Sequence, residues 1–309
     1  MKPDIQGILE PFDKQIFFDQ YLESRSLIIK RNNEQYFSDF LNLESIHKLV
    51  KEAVALNSPD MKLIRPGGKI NFSEYRTYNR VQNIEISISI DYEKVLSFFE
   101  QKNAGISLQN KAALFIGGQS LSRAVSTELH CNSGFSITIT PPSFPGFASR
   151  YEAHDIFILQ LQGKKRWKIF ESGFPFPLRM QKNNPVSADS LKVLYDAELD
   201  SGDTLYVPRG MVFEEGSSGE ISAYFRLDIH LTTYTRLFLD LIRELGEEES
   251  LFRRDYFFDH LRKASSAKVP LENIIHLIET KFNIRQMDAV FEKDAVKGAH
   301  AGKKELASL

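Results

Sequence analysis

Glu152 and His154, in the stretch SRYEAHDIF, form a Glu-x-His pair. On an extended strand, side chains two residues apart point to the same face, so this carboxylate and imidazole could share a divalent metal, with His130 or His230 as a third donor. The competing reading is that His154 and His230 are hydrogen-bonded framework residues of a β-rich core. Cys131 follows His130 and invites a Cys/His nucleophile, but adjacent strand residues face opposite ways and pair poorly. There is no G-x-S-x-G elbow, P-loop or dinucleotide glycine fingerprint, and GGQS at residues 117–120 is too short a match to carry chemistry. The KKR cluster at 164–166 reads as a solvated turn. His47, His260, His276 and His300 fall in helical or tail segments and read as surface or interface residues.

The elements that would position such residues follow from composition and period. With 309 residues, 42% hydrophobic and 26% charged, the chain has ordinary globular usage, which excludes a largely disordered or coiled-coil protein. A net charge of -2 offers no global field for nucleic acid or anionic lipid. One cysteine excludes an intramolecular disulfide or a thiolate zinc cluster. With no cationic-then-apolar leader and no apolar run of about 20 residues, a cytoplasmic protein away from the membrane is expected. Residues 1–60 mix helical phasing with a short apolar strand, SLIIKR, and read as an α/β cap. From 61 to 235 short β-like runs alternate with Gly, Pro and Ser turns, interrupted by one helix in YEKVLSFFEQK, a texture that favours a closed double-sheet jelly roll over a parallel α/β sheet. Residues 236–309 turn helical and end in a small, basic tail, KGAHAGKKELASL, expected to fray. Apolar stripes on these helices must be covered, either by the jelly roll or by a second copy, and a homodimer through the helices between 236 and 282 is expected.

The longest informative block is TPPSFPGFASRYEAHDIFILQLQGKKRWKIF, followed by DSGDTLYVPRGMVFEE and then DIHLT. Together these resemble the cupin/JmjC-type ribosomal oxygenases, Fe(II)- and 2-oxoglutarate-dependent protein hydroxylases. Thr140, Pro141, Gly146, Phe147, Phe157, Gln160, Gly163, Lys165, Trp167, Gly202, Asp203, Leu205, Tyr206, Pro208, Arg209, Gly210, His230 and Thr232 fall into the family pattern without gaps inside each block. The opening segment from Phe12 is also similar. The resemblance implies a double-stranded β-helix of the cupin/JmjC type, mainly β, with an N-terminal α/β cap and a C-terminal helical region.

It also implies a site, and here the chain departs from its pattern. A non-haem Fe(II) centre needs two neutral imidazoles and a carboxylate on one face of the metal, which the family takes from His-x-Asp and from the His after PRG. Those positions hold Arg150, Glu152 and Phe213. Arginine has no lone pair to give and phenylalanine no donor atom. Lys165 stands where the family holds the distal carboxylate of 2-oxoglutarate, but the amide and phenol that help it are replaced by Ser136 and Thr138. The expected arrangement is therefore metal-free: Arg150 paired with Glu152 on one strand face, with Phe213 filling the third position. The reading is of a catalytically degenerate oxygenase with no cofactor that binds a protein or peptide in the old cleft, a ribosomal protein by family resemblance. One alternative is an active Fe(II)/2-oxoglutarate hydroxylase with a rearranged centre at Glu152, His154 and His230. Another is a metal-independent cupin that binds a small anion between Arg150, Lys165 and Arg209.

Overall fold

The computed structural model describes residues 1–41, 43–66, 68–81, 84–109, 115–181, 187–216, 219–254 and 271–281. Two short helices open the chain, and an aspartate starts each. Asp4 accepts from the Gly7 N–H at the head of α1 (Ile5–Leu9), and Asp13 accepts from the Ile16 N–H at 2.8 Å at the head of α2 (Lys14–Gln20), satisfying N–H groups that the first helical turn leaves unpaired. Then come β1 (Leu27–Ile29), α3 (Leu43–Ala55), β2 (Met61–Arg65), β3 (Gly68–Lys69) and the hairpin of β4 (Arg76–Val81) with β5 (Ile84–Ile90). α4 (Tyr92–Gln101) is the helix expected at YEKVLSFFEQK; β6 (Gly105–Gln109) and α5 (Ile116–Glu128) follow.

α5 corrects the expectation of a single helix within the β region. Its segment, IGGQSLSRAVSTE, opens on two glycines and is rich in serine, so it carries little of the apolar phasing that announces a helix. The remaining strands are β7 (Asn132–Thr140), β8 (Phe147–Arg150), β9 (Asp155–Gln162), β10 (Lys165–Ser172), β11 (Val193–Leu199), β12 (Thr204–Val207), β13 (Met211–Glu215) and β14 (Ser222–His230).

Among the described residues these strands form an eight-stranded sheet in the order β1-β12-β9-β14-β7-β6-β2-β3, a four-stranded sheet β11-β10-β13-β8, and the separate β4-β5 pair. The turn at Gly163 carries the chain from β9 in the large sheet to β10 in the small one, as a jelly roll requires. The two sheets share one core: Ile156, Ile158, Leu205, Val207 and Tyr224 from the large sheet meet Trp167, Ile169, Leu199, Met211 and Phe213 from the small one. The other face of the large sheet is covered in part by α2, with Phe17 packed on Phe157 and Tyr206 at centroid distances of 5.5 and 4.9 Å. β1, from the N-terminal stretch, pairs with β12 at Leu27–Tyr206.

The chain divides into two compact units, Met1–Val125 with Ser133–His230, and Ser126–Asn132 with Leu231–Leu309. In the second, α6 (Tyr234–Glu248) starts at Thr233, whose hydroxyl accepts from Arg236 N–H, and buries Leu237, Leu241 and Leu245 on one stripe while Tyr234, Phe238 and Leu239 are exposed. A further helix spans Leu271–Lys281. His260, His300 and the basic tail lie outside the described residues.

Candidate functional site

The interior between the two sheets is where the expected site falls, and it is filled by side chains. β8 and β13 are antiparallel with Arg150 directly opposite Phe213. Gly146, at φ +85°, makes the approach to β8 possible: a Cβ there would lie 1.6 Å from the Glu215 carbonyl oxygen. Phe213 is fully buried. The Arg150 guanidinium lies between two aromatic rings, 4.9 Å from the Phe147 centroid and 4.7 Å from that of Phe213, in cation–π contact with both. Its anionic neighbour is Glu215, with Nη2 3.9 Å from Oε2. Burial pushes the Arg150 pKa down against the pull of that carboxylate.

Glu215 organises this end of the interior. It follows Phe213 by two residues and therefore shares its face. It lies directly across from Trp167, so Lys165 is its diagonal cross-strand neighbour. Lys165 Nζ sits 3.1 Å from Glu215 Oε1 and donates to Thr140 Oγ1 at 3.1 Å, with the Phe144 ring 5.0 Å away. Tyr224 donates its phenolic O–H to Glu215 Oε2 at 3.1 Å. Burial raises the Tyr224 pKa far above its usual value, so the phenol stays a donor. Lys165 and Glu215 are both buried, and Ser136 and Thr138 line the neighbouring β7 as buried side chains.

At the other end a second cation sits among acids. Arg226 Nη2 is 3.0 Å from Glu152 Oε1, its Nε donates to Asp228 Oδ1 at 2.6 Å, and its Nη2 lies 3.1 Å from His154 Nε2. His154 Nε2 is also 3.0 Å from Asp228, and the His154 and His230 rings are 4.4 Å apart. Burial alone would raise the Glu152 and Asp228 pKa values, but Arg226 overrides it and holds both below their ordinary values. Arg150, Lys165 and Arg226 thus balance Glu152, Glu215 and Asp228, three charges of each sign. The arrangement is dipolar, with two cations sharing one carboxylate at the Glu215 end and two carboxylates sharing one cation at the Arg226 end.

The expected pairing of Arg150 with Glu152 is therefore corrected: Glu152 goes to Arg226, and Arg150 faces Glu215. β8 ends at Arg150, so the strand period assumed for Arg150 and Glu152 does not extend to Glu152, which lies in the link to β9 and pairs with Arg226 of β14. The residues at the three family ligand positions do not fit a divalent metal, since Arg150 and Phe213 bring no lone pair and Glu152 is engaged by Arg226. Nor does Lys165 fit a free 2-oxoglutarate carboxylate, because Glu215 already holds its ammonium. His154 and His230 do come together, but among the described residues no three His, Cys, Asp or Glu side chains form a metal-binding group. Arg209 does not join Arg150 and Lys165 around an anion site; it pairs with Glu23.

Four of these residues escaped the sequence reading: Glu215, Tyr224, Arg226 and Asp228. The signal was present. Tyr224, Arg226, Asp228 and His230 alternate along one strand, so period two places them on one face, and Glu215 follows Phe213 by the same step.

Beside the site, Asp155 is fully buried, accepting the Tyr206 O–H and, at 3.0 Å, the Arg209 N–H. Burial raises its pKa to about 6 despite those donors, while burial and His154 push His230 down to about 4. The two act oppositely. Folding favours protonated Asp155, so its contribution is present at low pH and lost as pH rises toward 6, about 3 kcal/mol across the interval. Folding favours neutral His230, so that contribution is present above pH 6.5 and lost as pH falls through about 4. Asp155→Asn removes the first term. Urea denaturation at pH 4.5 and 6.5 is expected to show the variant losing stability on acidification relative to wild type; parallel curves would refute the assignment.

A double-stranded β-helix with this core is a cupin-type fold. Residues 115–237 match the JmjC domain family. The bifunctional lysine-specific demethylase and histidyl-hydroxylase NO66 of Dictyostelium discoideum is 24% identical over 236 residues, 75% of this chain and 43% of that protein. Its Drosophila grimshawi counterpart is 24% identical over 218 residues, 67% of this chain and 28% of that one. This chain spans less than half the length of these relatives. Among solved structures, YcfD, a ribosomal oxygenase from Escherichia coli in complex with cobalt and 2-oxoglutarate, superposes with a TM-score of 0.57 at 17% identity, covering 91% of this chain and 70% of that one. The chain thus carries a JmjC domain on a cupin-type fold and is similar to the ribosomal oxygenases. No described helix is long and apolar enough to cross a membrane.

Proposed function

We propose that this chain is a catalytically degenerate member of its family, a cytoplasmic protein- or peptide-binding module built on an oxygenase barrel. The observation that carries this reading is Arg150, clamped between Phe147 and Phe213 with Glu215 as counter-ion, where the family pattern places metal ligands. A partly buried cation so compensated sits there at tolerable cost, whereas a metal beside it would meet like charge. The relatives' names describe work on lysyl and histidyl residues, which supports a protein partner at the mouth of the same barrel. The exposed Tyr234, Phe238 and Leu239 on α6 support a homodimer through the helices after the barrel.

The test is metal content by elemental mass spectrometry, then anaerobic titration with Fe(II) or Mn(II) and 2-oxoglutarate, with light scattering for mass on the same preparation. Absence of metal and of co-substrate binding is the expected result, together with a dimer mass. Stoichiometric metal with 2-oxoglutarate-dependent turnover would overturn the reading in favour of a rearranged centre. Glu152→Ala and His154→Ala would then locate it.

A further inference from the structure

We propose that Lys165, Tyr224 and Arg150 form a carboxylate receptor that the chain fills with its own Glu215, so that the barrel carries its acidic ligand in cis. This deepens the reading of a degenerate centre and rests on it, while standing on a separate contact set. Glu215 Oε2 accepts from the Tyr224 hydroxyl at 3.1 Å, while Oε1 meets Lys165 Nζ at 3.1 Å as an ion pair without a hydrogen bond. The walls are apolar and aromatic, Trp167 and Phe213 lying in the same core and Phe144 beside the ammonium. In such surroundings a charge-assisted pair is strong and an unpaired charge is costly.

Two details mark Glu215 as an occupant rather than an equal partner. The tethered carboxylate does not saturate the receptor: Arg150 Nη2 stays 3.9 Å from Oε2, beyond hydrogen-bond reach, and Arg150 Nη1 is buried with no hydrogen-bond partner. Two cations also share this one carboxylate, so the local charge remains positive with Glu215 in place. The receptor therefore has more donors and more charge than its resident uses. Glu215 is nonetheless held in place by its own strand, and a well-oriented intramolecular group has an effective molarity that millimolar free carboxylates do not match, which closes the pocket to small mono- and dicarboxylates in the wild type.

Glu215→Ala deletes a CH2–COO⁻ group, the same atoms that acetate supplies. The variant is expected to melt below wild type, and about 0.1 M sodium acetate is expected to raise its melting temperature by several degrees, while acetamide and sodium chloride at matched concentration do not. Wild type should show no acetate-specific shift and no binding of 2-oxoglutarate at millimolar concentration. Lys165→Met added to Glu215→Ala should abolish the acetate response. If Glu215→Ala does not fold alone, its refolding yield in acetate against acetamide is the readout, with the isosteric Glu215→Gln as the folded control that leaves no room for acetate. Equal effects of acetate and acetamide, an acetate response that survives loss of Lys165, or 2-oxoglutarate binding to wild type would each overturn the proposal. Metal in the wild-type protein would sink the degenerate reading without touching the acetate comparison, so the two failures are separable.

Discussion

Lys165→Met is expected to cost about 3–5 kcal/mol, the range for removing one partner of a buried ion pair. The side chains are similar in length, so the loss is electrostatic. Glu215, with a fully buried side chain, would keep only the Tyr224 hydroxyl and an Arg150 guanidinium 3.9 Å away. Adding Glu215→Gln should recover much of the loss, because deleting both charges of a buried pair is often close to neutral. A double-mutant cycle in urea is then expected to give a coupling of about 2–3 kcal/mol between residues 165 and 215. A single-variant cost under about 1 kcal/mol would mean that water reaches the pair, and the interior would not be the sealed, self-compensated site described.

Much of this arrangement is legible in the sequence. The short β-like runs between Gly, Pro and Ser turns pointed to a double-sheet jelly roll, and the identity of residues 150 and 213 announced that two ligand positions lack donors. Which charges meet was not readable. Arg150 faces Glu215 through the register of β8 against β13, whereas Glu152 lies past the end of β8, in the link to β9, where Arg226 of β14 pairs with it. Register between strands distant in sequence leaves no periodic trace within either one. Glu215 was hidden for the same reason, since only the Trp167–Glu215 register brings it diagonally to Lys165. α5 was hidden by composition instead, because its glycines and serines mask the stripe that buries Leu121 and Val125.

The largest gain of function should come from restoring donors at the positions that lost them. Residues 150 and 213 are direct cross-strand partners, which places their Cβ atoms about 4.5–5.5 Å apart, near enough for two imidazoles to share one metal. Residue 152 lies two positions beyond 150. Arg150→His, Glu152→Asp and Phe213→His together remove the clamped guanidinium and supply two imidazoles and a carboxylate, the set that suits a non-haem divalent site. Binding of Co(II) with a micromolar Kd, about -8 kcal/mol, is expected where wild type shows none, read from cobalt d–d absorption and calorimetry. A folded triple variant without cobalt absorption would mean that the three positions do not converge, and the degenerate-site reading would lose its geometric basis. Co-substrate affinity should not return with the metal. Lys165 remains tied to Glu215 in the triple variant, so 2-oxoglutarate binding is expected only after Glu215→Ala is added, a separation that a simple loss of ligands does not produce.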